Sequence, residues 1–280
     1  MILVYIGIGI LVVFLGIYLF LVFPASKSKT NRQPLLSRHY AHRGLYDNVE
    51  VPENSLTAFK LAVSKGYGIE LDIRLTKDGE VVVFHDDTLL RLCGKNIAVS
   101  SLTLAELKQY RLMQSKELIP SFQEVLEIVK GKVPLLVEYK TGLPGNNVDA
   151  ICEKAEALLQ KYQGNYIIES FDYQVLAWYK KYRKEILRGA LSMGVECWPK
   201  ALGKTVDLIP IKRRKMISWL LYNYLARPHF ISYRWQDIKF PVHLCKLLGA
   251  KVFCWTVNKK EDASTLLTKW DAIIFERFEI

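Results

Sequence analysis

Two β-rich runs, Gly68-Ile69-Glu70-Leu71-Asp72-Ile73-Arg74 and Val81-Val82-Val83-Phe84-His85, are separated only by Leu75-Thr76-Lys77-Asp78-Gly79-Glu80. A parallel crossover needs about a dozen residues or more, so the second run must return antiparallel to the first as a hairpin arm. Similar runs follow outward at Arg38 to His42, Pro134 to Tyr139, Tyr166 to Ser170, Arg188 to Ser192, Phe230 to Tyr233, Lys251 to Val257 and Ala272 to Phe275. Helical patterns alternate with them, among them Ser55 to Lys65, Asn147 to Gln160, Tyr173 to Tyr182 and Lys260 to Trp270. Setting the hairpin arm aside leaves eight strands, each but the last followed by a helical pattern. The economical fold class is α/β, a TIM-type (β/α)8 barrel. No repeat of fixed period interrupts this order.

The chain begins differently. From Met1 to Phe23 there is no charged residue and no His, Asn, Gln, Ser or Thr. A helix of that length rises about 34 Å, enough for a hydrocarbon core of about 30 Å. With no basic n-region and a poor cleavage sequence at Phe23-Pro24-Ala25-Ser26, it reads as an uncleaved transmembrane anchor rather than a signal peptide. Residues 24–34 are polar, basic and bracketed by prolines, a linker with no core of its own. The barrel domain then occupies residues 35–280.

Charge supplies the expected orientation. Lys27, Lys29, Arg32 and Arg38 follow the helix, against one terminal amine before it, which places a single-pass protein in the cell membrane with its barrel in the cytoplasm. A hydrophobic fraction of 50% excludes a disordered chain, and five scattered cysteines give neither a disulfide framework nor a zinc site. The net charge of +11 lacks an interleaved aromatic and basic groove, so nucleic acid is not an expected partner; anionic lipid of a bilayer is. Oligomeric state is not readable. Lys212-Arg213-Arg214-Lys215, followed by the apolar and aromatic run Met216 to Leu225, has two readings: a buried barrel helix, or a helix at the lipid interface with Trp219, Tyr222 and Tyr224 at headgroup depth.

Barrels of this kind act at the C-terminal ends of their strands. There the sequence places His42-Arg43-Gly44, Glu70 and Asp72 two residues apart on one strand face, His85-Asp86-Asp87, and Glu138 with Lys140. Asp86 and Asp87 read as a turn or cap. Three carboxylates without cysteine form a hard-oxygen site for one divalent cation, Mg²⁺ or Ca²⁺. Arg43 and Lys140 add positive charge suited to phosphate.

Ala41-His42-Arg43-Gly44, the Pro52-Glu53-Asn54-Ser55 element and the run from Gly68 to Arg91 together resemble the glycerophosphodiester phosphodiesterase family. Ile119-Pro120-Ser121-Phe122, Val137 to Lys140, Ser170-Phe171-Asp172 and Trp255-Thr256-Val257-Asn258 agree, so the resemblance covers almost all of Tyr40 to Phe275. It implies the same barrel. It also implies His42 and His85 as catalytic acid and base, Glu70, Asp72 and Glu138 as metal ligands, and Arg43 and Lys140 as phosphate contacts. Glu53 and Asn54 would brace the loop and the ligands, with Trp255 in the pocket; alternatively Asn54 or Ser55 simply caps the following helix.

The implied reaction is attack of the neighbouring glycerol hydroxyl on phosphorus, then opening of the cyclic phosphate by water, giving glycerol 3-phosphate and an alcohol. Expected substrates are glycerophosphodiesters, with lysophospholipids as the alternative for a lysophospholipase D-like enzyme. A non-catalytic headgroup-binding barrel is the third reading, disfavoured because none of the seven polar residues has decayed. The chain departs from the family at its last strand, where Ile273 to Phe278 replaces a Thr-Asp-x-Pro-like end, and at Ser55 in place of Thr. Neither departure is expected to touch the metal or the histidines. No long insertion separates Arg91 from Ile119, so an open, aromatic mouth is expected.

Overall fold

A computed structural model describes residues 1–25, 33–141, 147–199 and 209–280. Its strands are β1 (Tyr40–Ala41), β2 (Gly68–Leu75), β3 (Val81–Val83), β4 (Leu135–Tyr139), β5 (Tyr166–Ser170), β6 (Arg188–Ser192), β7 (Phe230–Arg234), β8 (Lys251–Val257) and β9 (Ala272–Phe275). The parallel order β1-β9-β8-β7-β6-β5-β4-β2 closes through a β1–β2 pairing. The result is an eight-stranded TIM-type barrel. β3 pairs antiparallel with the end of β2, Ile73 opposite Val83, and stays outside the ring as its short connection requires.

Alternation along each strand sorts two surfaces. Leu135, Val137 and Tyr139 of β4 point outward to the helices, whereas Leu136 and Glu138 point into the barrel. The lower interior is closed by Leu35 and Leu36 from the turn before β1, with Tyr40, Leu136, Ile167, Leu187, Phe230 and Phe253. One step higher on the same strands, the inward positions change from apolar to acidic: Leu136 is followed by Glu138 and Ile167 by Glu169. The floor thus seals the barrel and the acids sit above it. Gly189 makes room for this packing, since a Cβ there would lie 2.1 Å from the Phe230 ring.

The outer layer follows the helical period. In the helix Phe122–Val129, the buried residues Phe122, Val125, Leu126 and Val129 fall at i, i+3, i+4 and i+7. Ser121 and Glu124 form a reciprocal capping box at its start, and each buried side chain contributes about 1.5–3 kcal/mol. Between β3 and this helix the chain builds a small core of its own from Leu89, Leu92, Val99, Leu107, Leu112 and Ile119. The predicted helix spans hold apart from their ends. Ser55 to Lys65 becomes Leu56–Ser64, and Lys260 to Trp270 stops at Leu267.

Helix α1 (Ile2–Val22) is apolar and long enough to cross a membrane, and its first sixteen residues are exposed. Pro24 is buried and the Ala25 amide donates to Pro228 O at 2.8 Å, so the start of the predicted linker packs on the barrel. Residues 26–32, which include Lys27, Lys29 and Arg32, lie outside the described residues. The segment expected to be one helix near 212–225 is two, Ile211–Ser218 and Asn223–Ala226. It satisfies neither reading whole: Ile217 and Leu220 are buried while Trp219 is 46% exposed.

Candidate active site

The carboxylates are placed by register. Asp72, Glu138 and Glu169 are direct partners across β2, β4 and β5, a row of three acids at one level of the barrel, with Glu70 one inward position below Asp72. One carboxylate oxygen from each of Glu70, Glu138 and Glu169 lies within 4.8 Å of the other two. Asp72, expected among the metal ligands, stands in this row and also meets donors. Asn54 Nδ2 donates to its Oδ2 at 2.9 Å, Arg43 Nε lies 3.4 Å from Oδ2, and Lys140 Nζ lies 3.2 Å from Oδ1. Glu169 was not singled out from sequence. Its signal is the departure from alternating hydrophobicity in Tyr166-Ile167-Ile168-Glu169-Ser170, the same signal that marked Glu138.

Electrostatics separates these acids. Burial, then the neighbouring Asp72 and Glu138 charges, push Glu70 well above the ordinary carboxylate range; burial and Glu138 do the same to Glu169. Burial raises Glu138 to about 7 against the pull of Lys140. Asp72 is also buried, but Lys140, His85 and Arg43 outweigh burial and hold it well below that range. Glu70 Oε1 and Glu169 Oε2 are buried with no hydrogen-bond partner. Buried acids that resist ionisation together, with oxygens left unsatisfied, fit a divalent cation bound by hard oxygen ligands.

Local backbone builds the rest of the floor. After β1 the chain turns through Arg43 at φ 55 and Gly44 at φ 82. The left-handed conformation costs a non-glycine residue about 1–2 kcal/mol. It aims the Arg43 amide at Glu70 Oε2, 2.9 Å away. At Gly44 a Cβ would meet the Ala58 backbone at 2.9 Å. Arg43 Nη1 donates to Glu53 at 2.5 Å, and Glu53 also accepts from Arg91 and Asn48. Of the two alternatives for Pro52 to Ser55, the cap is Ser55, whose side chain accepts from the Ala58 amide; Glu53 and Asn54 reach into the site.

Both predicted histidines line the same cavity of about 770 Å³, together with Arg43, Lys140, Phe171 and Trp255. His42 Nδ1 lies 2.9 Å from Glu276 Oε2, which also accepts from Tyr46 OH at 2.5 Å. The departure at the last strand therefore does touch a histidine, contrary to expectation, because β9 is the hydrogen-bonded neighbour of β1 and its end meets the end of β1. His85 Nδ1 lies 2.6 Å from Asp86 Oδ1, and Arg91 pairs with the same carboxylate. Asp87 pairs with Arg74 at 2.6 Å. Asp86 thus engages the His85 ring, and Asp87 holds Arg74, which donates to the His85 carbonyl, so both do more than make a turn.

Burial, then Arg43, lowers the His42 pKa, with Glu276 opposing; burial, Lys140 and Arg43 bring His85 to about 3. Trp255 stacks edge-on against Phe171 at 5.9 Å, and Phe171 against Trp198 at 5.4 Å, which makes one wall of the mouth aromatic.

Residues 42–279 match the Glycerophosphoryl diester phosphodiesterase family. The chain belongs to that family. It is 34% identical over 242 residues to a glycerophosphodiester phosphodiesterase of Caldanaerobacter subterraneus subsp. tengcongensis, covering 81% of this chain and 88% of that one. It is 33% identical over 289 residues to human lysophospholipase D GDPD1, with 88% and 84% covered. A phosphodiesterase of Oleispira antarctica in complex with the product sn-glycerol-3-phosphate shares the fold at TM-score 0.69 and 24% identity, covering 87% of this chain and 94% of that one. As a glycerophosphoryl diester phosphodiesterase, the protein is a hydrolase of anionic diesters. A cavity lined by Arg43, Lys140 and two imidazoles suits such a substrate.

Proposed function

We propose that the chain hydrolyses glycerophosphodiesters to glycerol 3-phosphate and an alcohol, using His42 and His85 as proton carriers and Arg43 and Lys140 as phosphate contacts. One arrangement carries the reading: two histidines in one cavity, each engaged at Nδ1 by its own carboxylate, flank a floor of acids and cations. Engagement at Nδ1 leaves Nε2 to act on substrate. One imidazole accepts the proton of the glycerol hydroxyl as its oxygen attacks phosphorus. The other donates a proton to the departing alcohol oxygen, and the P–O bond to that alcohol breaks. Water then opens the cyclic phosphate with the proton roles reversed. Arg43 and Lys140 offset the charge on the non-bridging oxygens throughout.

Glu70, Glu138 and Glu169, with Asp72 beside them, would hold one Mg²⁺ or Ca²⁺. When bound it lowers the pKa of a coordinated hydroxyl and neutralises phosphoryl charge. Glu53 and Asn54 position Arg43 and Asp72. His42→Ala and His85→Ala should each abolish release of glycerol 3-phosphate from glycerophosphocholine; undiminished release from either variant sinks the assignment.

The aromatic wall of Phe171, Trp198 and Trp255 supports a second reading, a lysophospholipase D-like substrate range in which an acyl chain remains attached. Glycerophosphoethanolamine and lysophosphatidylethanolamine assayed side by side separate the two. The apolar α1 supports residues 1–23 as a single-pass anchor in the cell membrane, with residues 35–280 as the catalytic domain on the cytoplasmic side. Protease access to the C-terminus tests the orientation, and an exterior C-terminus overturns it.

A further inference from the structure

The last turns of α1 lie along the barrel in a defined direction. Tyr18 stacks on Phe240, the first residue of the helix Phe240–Leu247 that follows β7. Val22 O accepts from Asn223 Nδ2 at 2.9 Å and lies 3.4 Å from Cys245 Sγ, further down that helix. Arg227 Nη1 donates to Phe20 O and Phe23 O, and Ala25 N to Pro228 O, two residues before β7 begins. Between Tyr18 and Ala25 the chain therefore descends from the C-terminal face of the barrel to its N-terminal face. The free part of α1 must project from the face that carries the active-site mouth.

Residues 2–17, all exposed, carry the helix about 24 Å beyond the Tyr18–Phe240 contact, the order of a hydrocarbon core of roughly 30 Å. With α1 crossing the membrane, that contact lies close to the bilayer surface. The same rim carries apolar side chains left exposed among the described residues: Ile211 at 49%, Trp219 at 46% and Phe240, beside its contact with Tyr18, at 63% exposure. Trp219 follows Ser218, whose carbonyl accepts from Tyr233 OH at the top of β7, and Lys212 and Lys215 lie exposed on the adjoining helix. Aromatic and basic side chains side by side suit an interface of anionic headgroups.

We propose that the rim formed by Ile211, Trp219 and Phe240, with Lys212 and Lys215, rests in the headgroup layer of the bilayer that α1 crosses, so that the active-site mouth opens onto the membrane surface. This rests on α1 being a membrane anchor. It places the cavity at the depth of lipid-derived diesters rather than in bulk solution.

The full chain is inserted into vesicles of phosphatidylethanolamine and phosphatidylglycerol with a photo-crosslinking phenylalanine analogue placed singly at Ile211, Trp219 or Phe240. Two further positions, the exposed Lys132 and Lys184, report on the loops that enter strands at the opposite face. Circular dichroism melting confirms that each variant is folded. Rim positions should give on the order of tenfold more lipid adduct than the opposite pair. Carbonate extraction separates the two readings. Release of the protein by carbonate overturns the anchor and this orientation together. Retention with equal adducts from both faces, or adducts from the opposite face alone, overturns the orientation only.

Discussion

His42 Nδ1 and Glu276 Oε2 stand 2.9 Å apart across the seam where β9 meets β1. The carboxylate is held ionised: burial pushes its pKa up, but His42 and Tyr46 bring it down to about 2. It therefore fixes the tautomer and direction of the imidazole, as a carboxylate does for a general-base histidine. Glu276→Gln should lower kcat by about 10–100-fold with little change in KM. Glu276 raises the His42 pKa, so its loss lowers that pKa and moves the His42-governed limb of the pH–rate profile to lower pH. An unmoved limb would show that the contact is structural only.

The two histidines should differ in their dependence on the leaving group. A 4-nitrophenyl diester leaves without protonation, so the variant lacking the general acid should recover activity on it. The variant lacking the base should remain about 10²–10⁴-fold impaired on every diester. Identical behaviour of His42→Ala and His85→Ala across substrates contradicts a division of roles.

Metal removal should destabilise the fold as well as silence it, because chelation leaves Glu70, Glu138 and Glu169 facing one another. Saturation at 100 times Kd adds about 2.7 kcal/mol. Calorimetric melting with and without chelator measures this. Glu169→Gln should weaken cation binding about 10–100-fold by titration calorimetry. Unaltered binding would remove Glu169 from the ligand set.

Glu53 links acid stability to the site. Burial raises its pKa, but Arg91 and Arg43 outweigh burial and bring it to about 2 from 4.5. A lowered folded-state pKa gives stability that is fully present above pH 4.5 and drains away as pH falls toward 2. That linkage is worth about 3 kcal/mol. Glu53→Gln should melt lower at pH 7 and lose less on acidification than the parent protein. Parallel melting curves of the two proteins from pH 7 to pH 3 would refute it.

Gly189→Ala tests the interior packing. Its Cβ would intrude on the Phe230 ring, so a loss of about 1–3 kcal/mol is expected in urea unfolding. Gly189→Ala with Phe230→Leu should recover part of it.

Much of this protein is legible along the chain because the relevant rules are local. A two-residue alternation names a strand, a six-residue connection forbids a parallel partner, and an acid interrupting an apolar strand marks a functional position. Tyr166–Ser170, Arg188–Ser192, Lys251–Val257 and Ala272–Phe275 agree with the sequence reading at both ends for that reason. His42, Glu70, His85, Glu138 and Lys140 come to line one cavity because strand ends converge in any such barrel. Closure and register were decided only in three dimensions. Glu276 meets His42 from 234 positions away, Glu169 joins Glu70 and Glu138, and Asp72 meets Lys140 and Arg43 as well as the acids. The direction in which α1 lies on the barrel is of the same kind. A side chain's type and periodicity are written in its neighbours along the chain, but which distant group it faces depends on how eight strands are staggered around a ring, and that is settled only when the ring closes.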